Sequence, residues 1–220
     1  MFGKNRSLAE LQARMVQKQL AGRAISNPDV LKAMAEIPRH YFVAEKYRHS
    51  AYNDGPLPIG YDQTISQPYI VAFMTEALHL PPNKQGAVLE IGTGSGYQAA
   101  ILSRLAAKVY SIERVEPLAQ QARAILQALE IDNVEIKVAD GGYGWPEHGP
   151  YDGILVTAAA PEIPAPLTAQ LKNGARLVAP VGPRSKQELI RLQRNGTSLI
   201  RETLVPVAFV PLLGEHGWAE

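Results

Sequence analysis

Cysteine is absent from the 220 residues. That excludes disulfides, thiolate metal sites and any mechanism built on a cysteine nucleophile. Histidine is sparse at five, and His40, His49, His79, His148 and His216 form no i, i+4 pair. No metal site is expected. Charge of one sign is not in excess: 22 Lys and Arg against 21 Asp and Glu leave a net +1. Such a surface does not attract a polyanion, so no nucleic-acid partner is expected. Long apolar runs are missing too. The longest, residues 204–213, is broken by Pro206 and Pro211 and falls short of the ~18 residues of a membrane span. Residues 1–10 carry no apolar segment of the secretory type. The expectation is a cytoplasmic protein without a membrane partner, and a monomer.

What remains is an ordinary globular composition, 46% hydrophobic and 20% charged, of a length that suits one domain with an elaboration. Eighteen Gly and 17 Pro are few enough to read as placed turns. Ser7-Leu-Ala-Glu10 has capping-box spacing and predicts a helix over 8–21. Asn27-Pro28 starts a second, ending before Pro38. Residues 49–63 are turn-rich and read as an ordered loop. A third helix is predicted over 67–79. From residue 86, short apolar runs alternate with helical patterns. Strands are predicted at 87–91, 108–112, 134–138, 151–157 and 176–181, with helices at 96–105, 117–129 and 164–171. Two more strands, 187–193 and 198–210, flank the hairpin-type turn Arg194-Asn-Gly-Thr197. The fold class is α/β: a doubly wound, mostly parallel, Rossmann-like sheet with helices on both faces, an antiparallel edge and an N-terminal helical extension. One domain spans 1–220, the extension being 1–80 and the core 81–220.

The strongest local signal is Val88-Leu-Glu-Ile-Gly92-Thr-Gly94-Ser-Gly96-Tyr97. A strand delivers the chain to three alternating glycines and a helix begins at once, so a ligand can approach the backbone and meet free N–H groups. By itself this is also how a tight strand-to-helix turn reads. Glu113 closes the next strand about 20 residues on, where an acid can accept ribose hydroxyls. Asp140-Gly141 follows the third strand, placed to meet an adenine edge. Together they outline an adenosine slot at a switch point of the sheet. The spacing is G-x-G-x-G, not the G-x-G-x-x-G made for a pyrophosphate. Glu90 just before it would repel a diphosphate and suits the cationic end of S-adenosyl-L-methionine. The segment resembles motif I of the Rossmann-like methyltransferases. After the fourth strand, Thr157-Ala-Ala-Ala160-Pro161 lacks the Asn/Asp-Pro-Pro-aromatic element of amine methyltransferases, which favours an oxygen acceptor that is already anionic.

Longer stretches are more specific. Pro56-Leu-Pro-Ile-Gly60 with Gln63-Thr-Ile-Ser-Gln-Pro-Tyr69 resembles the signature of the protein-L-isoaspartate(D-aspartate) O-methyltransferases. So do Val88 to Gln98, Asp152 to Pro164, Leu171-Lys-Asn-Gly174 with Pro180-Val-Gly182, and Phe209-Val-Pro-Leu212. The resemblance runs nearly the whole chain. Tyr69 stands where some members carry His, and the loop Asp140-Gly-Gly-Tyr-Gly-Trp145 is unusually glycine-rich. The resemblance implies methyl transfer from S-adenosyl-L-methionine, leaving S-adenosyl-L-homocysteine, to the free α-carboxylate of L-isoaspartyl residues in damaged proteins and peptides. The ester then closes to a succinimide, which returns some aspartate. It also implies the residue roles. Glu90, Gly92, Thr93, Gly94, Ser95, Gly96, Glu113, Asp140, Gly141 and Thr157 would bind the cofactor. Gln63, Thr64, Ile65, Ser66, Val210, Pro211 and Leu212 would hold the peptide, largely through backbone. Ser66 would orient the acceptor carboxylate. Locally, Ser66 also reads as a helix N-cap before Gln67-Pro68, and both roles remain open. Tyr47, Tyr52 and Tyr61 are expected to pack into the core, with the cleft as the alternative. Other readings of the cofactor slot are a small-molecule O-methyltransferase, a cofactor-binding sensor without chemistry, and an NAD-linked oxidoreductase.

Overall fold

Each parallel strand alternates two apolar faces, and that alternation builds the layers. In a computed structural model, which describes residues 6–219, the chain forms β3 (Ala87–Ile91), β4 (Lys108–Glu113), β5 (Val134–Val138), β6 (Tyr151–Val156), β7 (Leu171–Val181), β8 (Gln187–Asn195) and β9 (Ser198–Val207). These make one sheet in the order β5-β4-β3-β6-β7-β8-β9. The pairs from β5 through β7 are parallel, whereas β7-β8 and β8-β9 are antiparallel. The expected doubly wound sheet with an antiparallel edge is therefore present. The chain leaves β3 towards β4 on one side and reaches β6 on the other, so the switch point lies at the carboxyl end of β3.

One sheet face buries Val88, Val109, Leu155, Val178 and Leu189 against helical residues such as Met74 and Leu102. Its helices include α3 (Pro68–Ala77), α4 (Tyr97–Leu102) and α5 (Glu116–Ala128). The opposite face buries Leu89, Ile154, Leu177 and Ile190. Its cover is thinner: the five-residue α6 (Ala165–Ala169) and an aromatic group in which the Tyr110 and His148 rings stack at 4.1 Å. Trp145 packs edge-on against both. Ring faces do there what a long helix would otherwise do.

The N-terminal extension holds α1 (Leu8–Arg14), with the expected Ser7–Glu10 capping box, and α2 (Pro28–Glu36), capped by Asn27. The first helix departs from expectation. After Arg14 it widens into a π-helical turn over Met15–Leu20, with Ala21 N–H donating to Val16 C=O. Met15 and Leu20, five apart, are both fully buried, and i→i+5 bonding brings such a pair onto one face. Part of the stretch read as an ordered loop is strand: β1 (Leu57–Gly60) and β2 (Gln63–Ile65) form an antiparallel hairpin. Pro58 and the two glycines hid it, because they argue against a strand everywhere but at an edge. The turns Arg39–Phe42 and Glu45–Ser50 are 3₁₀. The helix predicted over 164–171 is shorter and the following strand longer, since β7 starts at Leu171 and carries Gly174 within it. Met1 to Asn5, half of the stretch read as lacking a signal segment, lie outside the described residues. No helix among the described residues is long and apolar enough to cross a membrane.

Candidate functional site

The carboxyl ends of β3, β4 and β6 open into a cavity of about 540 Å³. The Gly92–Ser95 loop, Glu113, Gly141 and Thr157 line one wall; Gln63–Ser66 and Val210–Leu212 line the other. The two walls touch. A Cβ on Gly94 would stand 3.4 Å from the Ile59 side chain of β1, so the hairpin is seated against the glycine loop.

The loop needs its glycines for conformation. Gly92 has φ +94°, and a Cβ there would collide with the Thr157 hydroxyl. That hydroxyl lies 2.9 and 2.6 Å from the carbonyls of Ile91 and Gly92 and ties β6 to the loop. The expectation of free N–H groups is met only in part, because four amides of the loop are engaged internally. Gly92 and Thr93 N–H donate to Ile112 C=O, and Gly96 N–H to Thr93 C=O. Gly94 N–H donates to Glu113 Oε2 at 2.8 Å. Amides spent internally are not offered to a pyrophosphate, which weighs against the NAD reading. Val115 N–H holds the other Glu113 oxygen at 2.8 Å. The carboxylate is thus fixed at the cavity wall, with lone pairs left for hydroxyl donors.

Three expected cofactor residues do not reach the cavity. Gly96 lies behind it and gives α5 room, since its Cβ position is 3.1 Å from Ala122 Cβ. Glu90 is 0% exposed, beneath the loop. The side chain of a residue two before Gly92 in a pleated strand points into the sheet face rather than off its end. One Glu90 oxygen accepts from the Ser111 hydroxyl, which is 2.6 Å from that of Thr93, and the other oxygen has no partner among the described residues. Burial, with Glu113 nearby, pushes the Glu90 carboxyl up to about 8, against the opposing Ser111 hydrogen bond. Burial thus favours its protonated form, and Glu90 does not line the cavity. Asp140 is turned onto its own loop, accepting from Gly142 N–H at 2.8 Å and Glu215 N–H at 3.0 Å; Gly141 lines the cavity in its place.

On the opposite wall, Ser66 is half-buried. Gln67, without a side-chain cap, is the N-cap of α3, so the capping reading of Ser66 does not hold. The Ser66 hydroxyl has no hydrogen-bond partner among the described residues, and Ser66 lines the same cavity as Glu113. The expected backbone grip by residues 210–212 is narrower than the sequence implied. Val210 C=O accepts from Ala159 N–H, Leu212 N–H donates to Ala159 C=O, and Leu212 C=O accepts from Trp218 N–H. Pro211 has no N–H. Val210 N–H and Pro211 C=O are what the segment can still offer.

Sequence reasoning missed Asp62, Val71, Met74, Tyr97 and Gln98 as cavity walls, and for Tyr61 the cleft, named only as the alternative to the core, is where the side chain stands. Tyr61 is 53% exposed at the mouth, whereas Tyr52 is buried as expected and Tyr47 packs against the core. Val71 and Met74 keep the i, i+3 spacing of a helix face, but only the tertiary placement of α3 says which face meets the cavity.

The donor set fits S-adenosyl-L-methionine. A carboxylate stands at the end of the second core strand, apolar walls come from Ile91, Ile112 and Val115, and Asp62 adds negative charge. Comparisons with known proteins agree. The family model for protein-L-isoaspartate(D-aspartate) O-methyltransferase matches residues 10–217. A protein-L-isoaspartate O-methyltransferase of Methanoregula boonei is 59% identical, covering 93% of this chain and 94% of its own length. One of Trichlorobacter lovleyi is 56% identical, with 93% and 94% covered. A Plasmodium falciparum structure of the same description, in complex with S-adenosyl-L-homocysteine, superposes with a TM-score of 0.80 at 25% identity, covering 92% of this chain and 98% of that one.

Proposed function

The chain belongs to the protein-L-isoaspartate(D-aspartate) O-methyltransferase family, and from that premise we propose how its cleft performs the family's chemistry. It is an S-adenosyl-L-methionine-dependent enzyme that methylates the free α-carboxylate of L-isoaspartyl residues in damaged proteins and peptides. The ester then closes to a succinimide, and hydrolysis returns part of it to aspartate.

The cofactor supplies an electrophilic methyl group on a sulfonium. The Gly92–Ser95 loop, Glu113, Gly141 and Thr157 hold it. Ser66 donates a hydrogen bond that orients the acceptor carboxylate, and the hairpin with residues 210–212 places the peptide beside it. The extension through residue 80 thus supplies the substrate side of a single domain. A carboxylate is already ionised at neutral pH, so no residue need act as a base. The reactants carry opposite charges that cancel as the bond forms. Water stabilises the separated ions more than that transition state, so excluding it and fixing the approach contribute most of the rate. The observation that carries this reading is the contact of the Ile59 hairpin with the glycine loop, with Ser66 and Glu113 on one cavity.

The test pairs an isoaspartyl peptide with its aspartyl twin and a methyl-labelled cofactor. Labelling of the isoaspartyl peptide alone is expected; equal labelling, or none, overturns the reading. The balanced charge gives a polyanion no general attraction, so no nucleic-acid partner is proposed; a cytoplasmic location and a monomeric state complete the proposal, and cell fractionation and gel filtration test them.

A further inference from the structure

Arg39 is 0% exposed, yet no carboxylate pairs with it among the described residues. A buried charge without a counter-ion is expensive, and an apolar side chain of its volume would avoid the cost. Its donors show where that cost goes. Nε donates to Ala51 C=O at 2.7 Å and a terminal nitrogen to Gly55 C=O at 3.4 Å. The other terminal nitrogen is buried without a partner. The guanidinium lies 5.2 Å from the centre of the Tyr97 ring. Burial lowers its pKa to about 10, so it stays cationic at neutral pH.

Ala51 and Gly55 bracket the turn that hands the chain to β1. Tyr97 opens α4 directly after the glycine loop and lines the cavity. One side chain therefore touches the approach to one wall of the cleft and a residue of the other. The same turn is braced three more times. Gln19 donates to Tyr52 C=O at 3.0 Å. Arg23 pairs with Asp54 at 2.5 Å and lies over the Tyr69 ring. Gln67 donates to Asp54 C=O at 3.4 Å. Residues 51–55 contain no regular element; backbone bonds from Ala51, Asn53 and Gly55 N–H close the turns locally, and these distant side chains tie them to the rest of the fold.

We propose that Arg39 is a positioning residue for the methyl transfer: through the carbonyls of Ala51 and Gly55 and the face of Tyr97 it sets the substrate hairpin against the cofactor wall. The inference rests on the isoaspartyl methylation proposed above. A cationic fork is suited to this because it meets two carbonyls and a ring at once. Lysine, a single point charge, meets fewer.

The test compares Arg39→Met and Arg39→Lys with the parent protein for isoaspartyl-peptide KM and kcat, S-adenosyl-L-homocysteine Kd, and amide hydrogen exchange. Arg39→Met should raise the peptide KM by about tenfold or more while Kd stays within about threefold. Exchange should quicken over 51–66 and not over 87–96. Arg39→Lys should fall between parent and Met. A KM within about twofold of the parent, a Kd that weakens in step with KM, or exchange quickening evenly across the chain would overturn the proposal. Arg23→Gln, at the exposed brace, guards against a folding failure of the Met variant. It should raise KM about two- to threefold at unchanged Tm, and an unchanged KM would count against the turn setting substrate position. If the parent protein does not methylate the isoaspartyl peptide, the functional reading fails instead; localised exchange in Arg39→Met still judges the brace.

Discussion

The two walls of the cleft are built by different means. The cofactor wall is made at strand ends, where backbone satisfies backbone: Gly92, Thr93 and Gly96 N–H all bond to carbonyls of the loop or the adjacent strand. The substrate wall is a short hairpin and a tail, and its approach is held by side chains from remote parts of the chain, Arg39, Gln19 and Arg23 among them. The cofactor is the same in every turnover, whereas the damaged peptides vary. A wall fixed by sheet geometry suits the first, and one whose approach is tied down by side-chain bonds suits the second, since loops carry variable recognition on a rigid scaffold.

The contrast can be broken hardest at Gly92. Gly92→Ala places a Cβ against the Thr157 hydroxyl at a φ of +94°. Affinity for S-adenosyl-L-homocysteine should fall by about 30-fold or more, with roughly 2 kcal/mol of stability lost, as calorimetry and denaturant unfolding would report. Unchanged affinity would mean that the wall is not fixed by backbone geometry. Glu113→Gln is gentler. It removes one charge-assisted acceptor, so the cofactor should bind about tenfold more weakly while the peptide KM is unaltered. A change confined to KM would reverse the assignment of the walls.

The smallest effect is on stability against pH. Folded Glu90 keeps its proton up to about pH 8, whereas an unfolded Glu loses it near ~4.3. Between those values the folded chain binds the proton that the unfolded chain has released, so stability falls as pH rises. Glu90→Gln removes that slope. The unliganded variant should stay close to the parent near pH 5 and exceed it in Tm by a margin that widens up to about pH 8. Parallel Tm profiles would show Glu90 to be an ordinary ionised carboxylate.

Much of the cofactor wall was legible in the sequence, because its signals are local. The apolar run 87–91, the alternating glycines and the spacing to Glu113 each follow from short-range geometry, and the resemblance to the family extended them to Ser66 and the tail. What escaped depended on long-range partners. Glu90 was read as a cation's partner because sequence cannot show that a pleat turns it beneath the loop. At Asp140-Gly141 the carboxylate and the neighbouring N–H groups were both read as able to meet an adenine edge, and only the tertiary fold, with a bond from Glu215 75 residues on, shows the carboxylate turned away. Residues 49–63 read as loop because strands of three and four residues have too little periodicity to detect, and Arg39 drew no notice because nothing local marks an arginine as buried.

The central claim, that the hairpin orients the acceptor while the glycine wall alone holds the cofactor, meets its most direct test in Ser66→Ala. The account predicts that kcat with an isoaspartyl peptide falls about 100-fold while the Kd for S-adenosyl-L-homocysteine stays where it was. Full turnover in that variant, or cofactor affinity lost in proportion to rate, would contradict it.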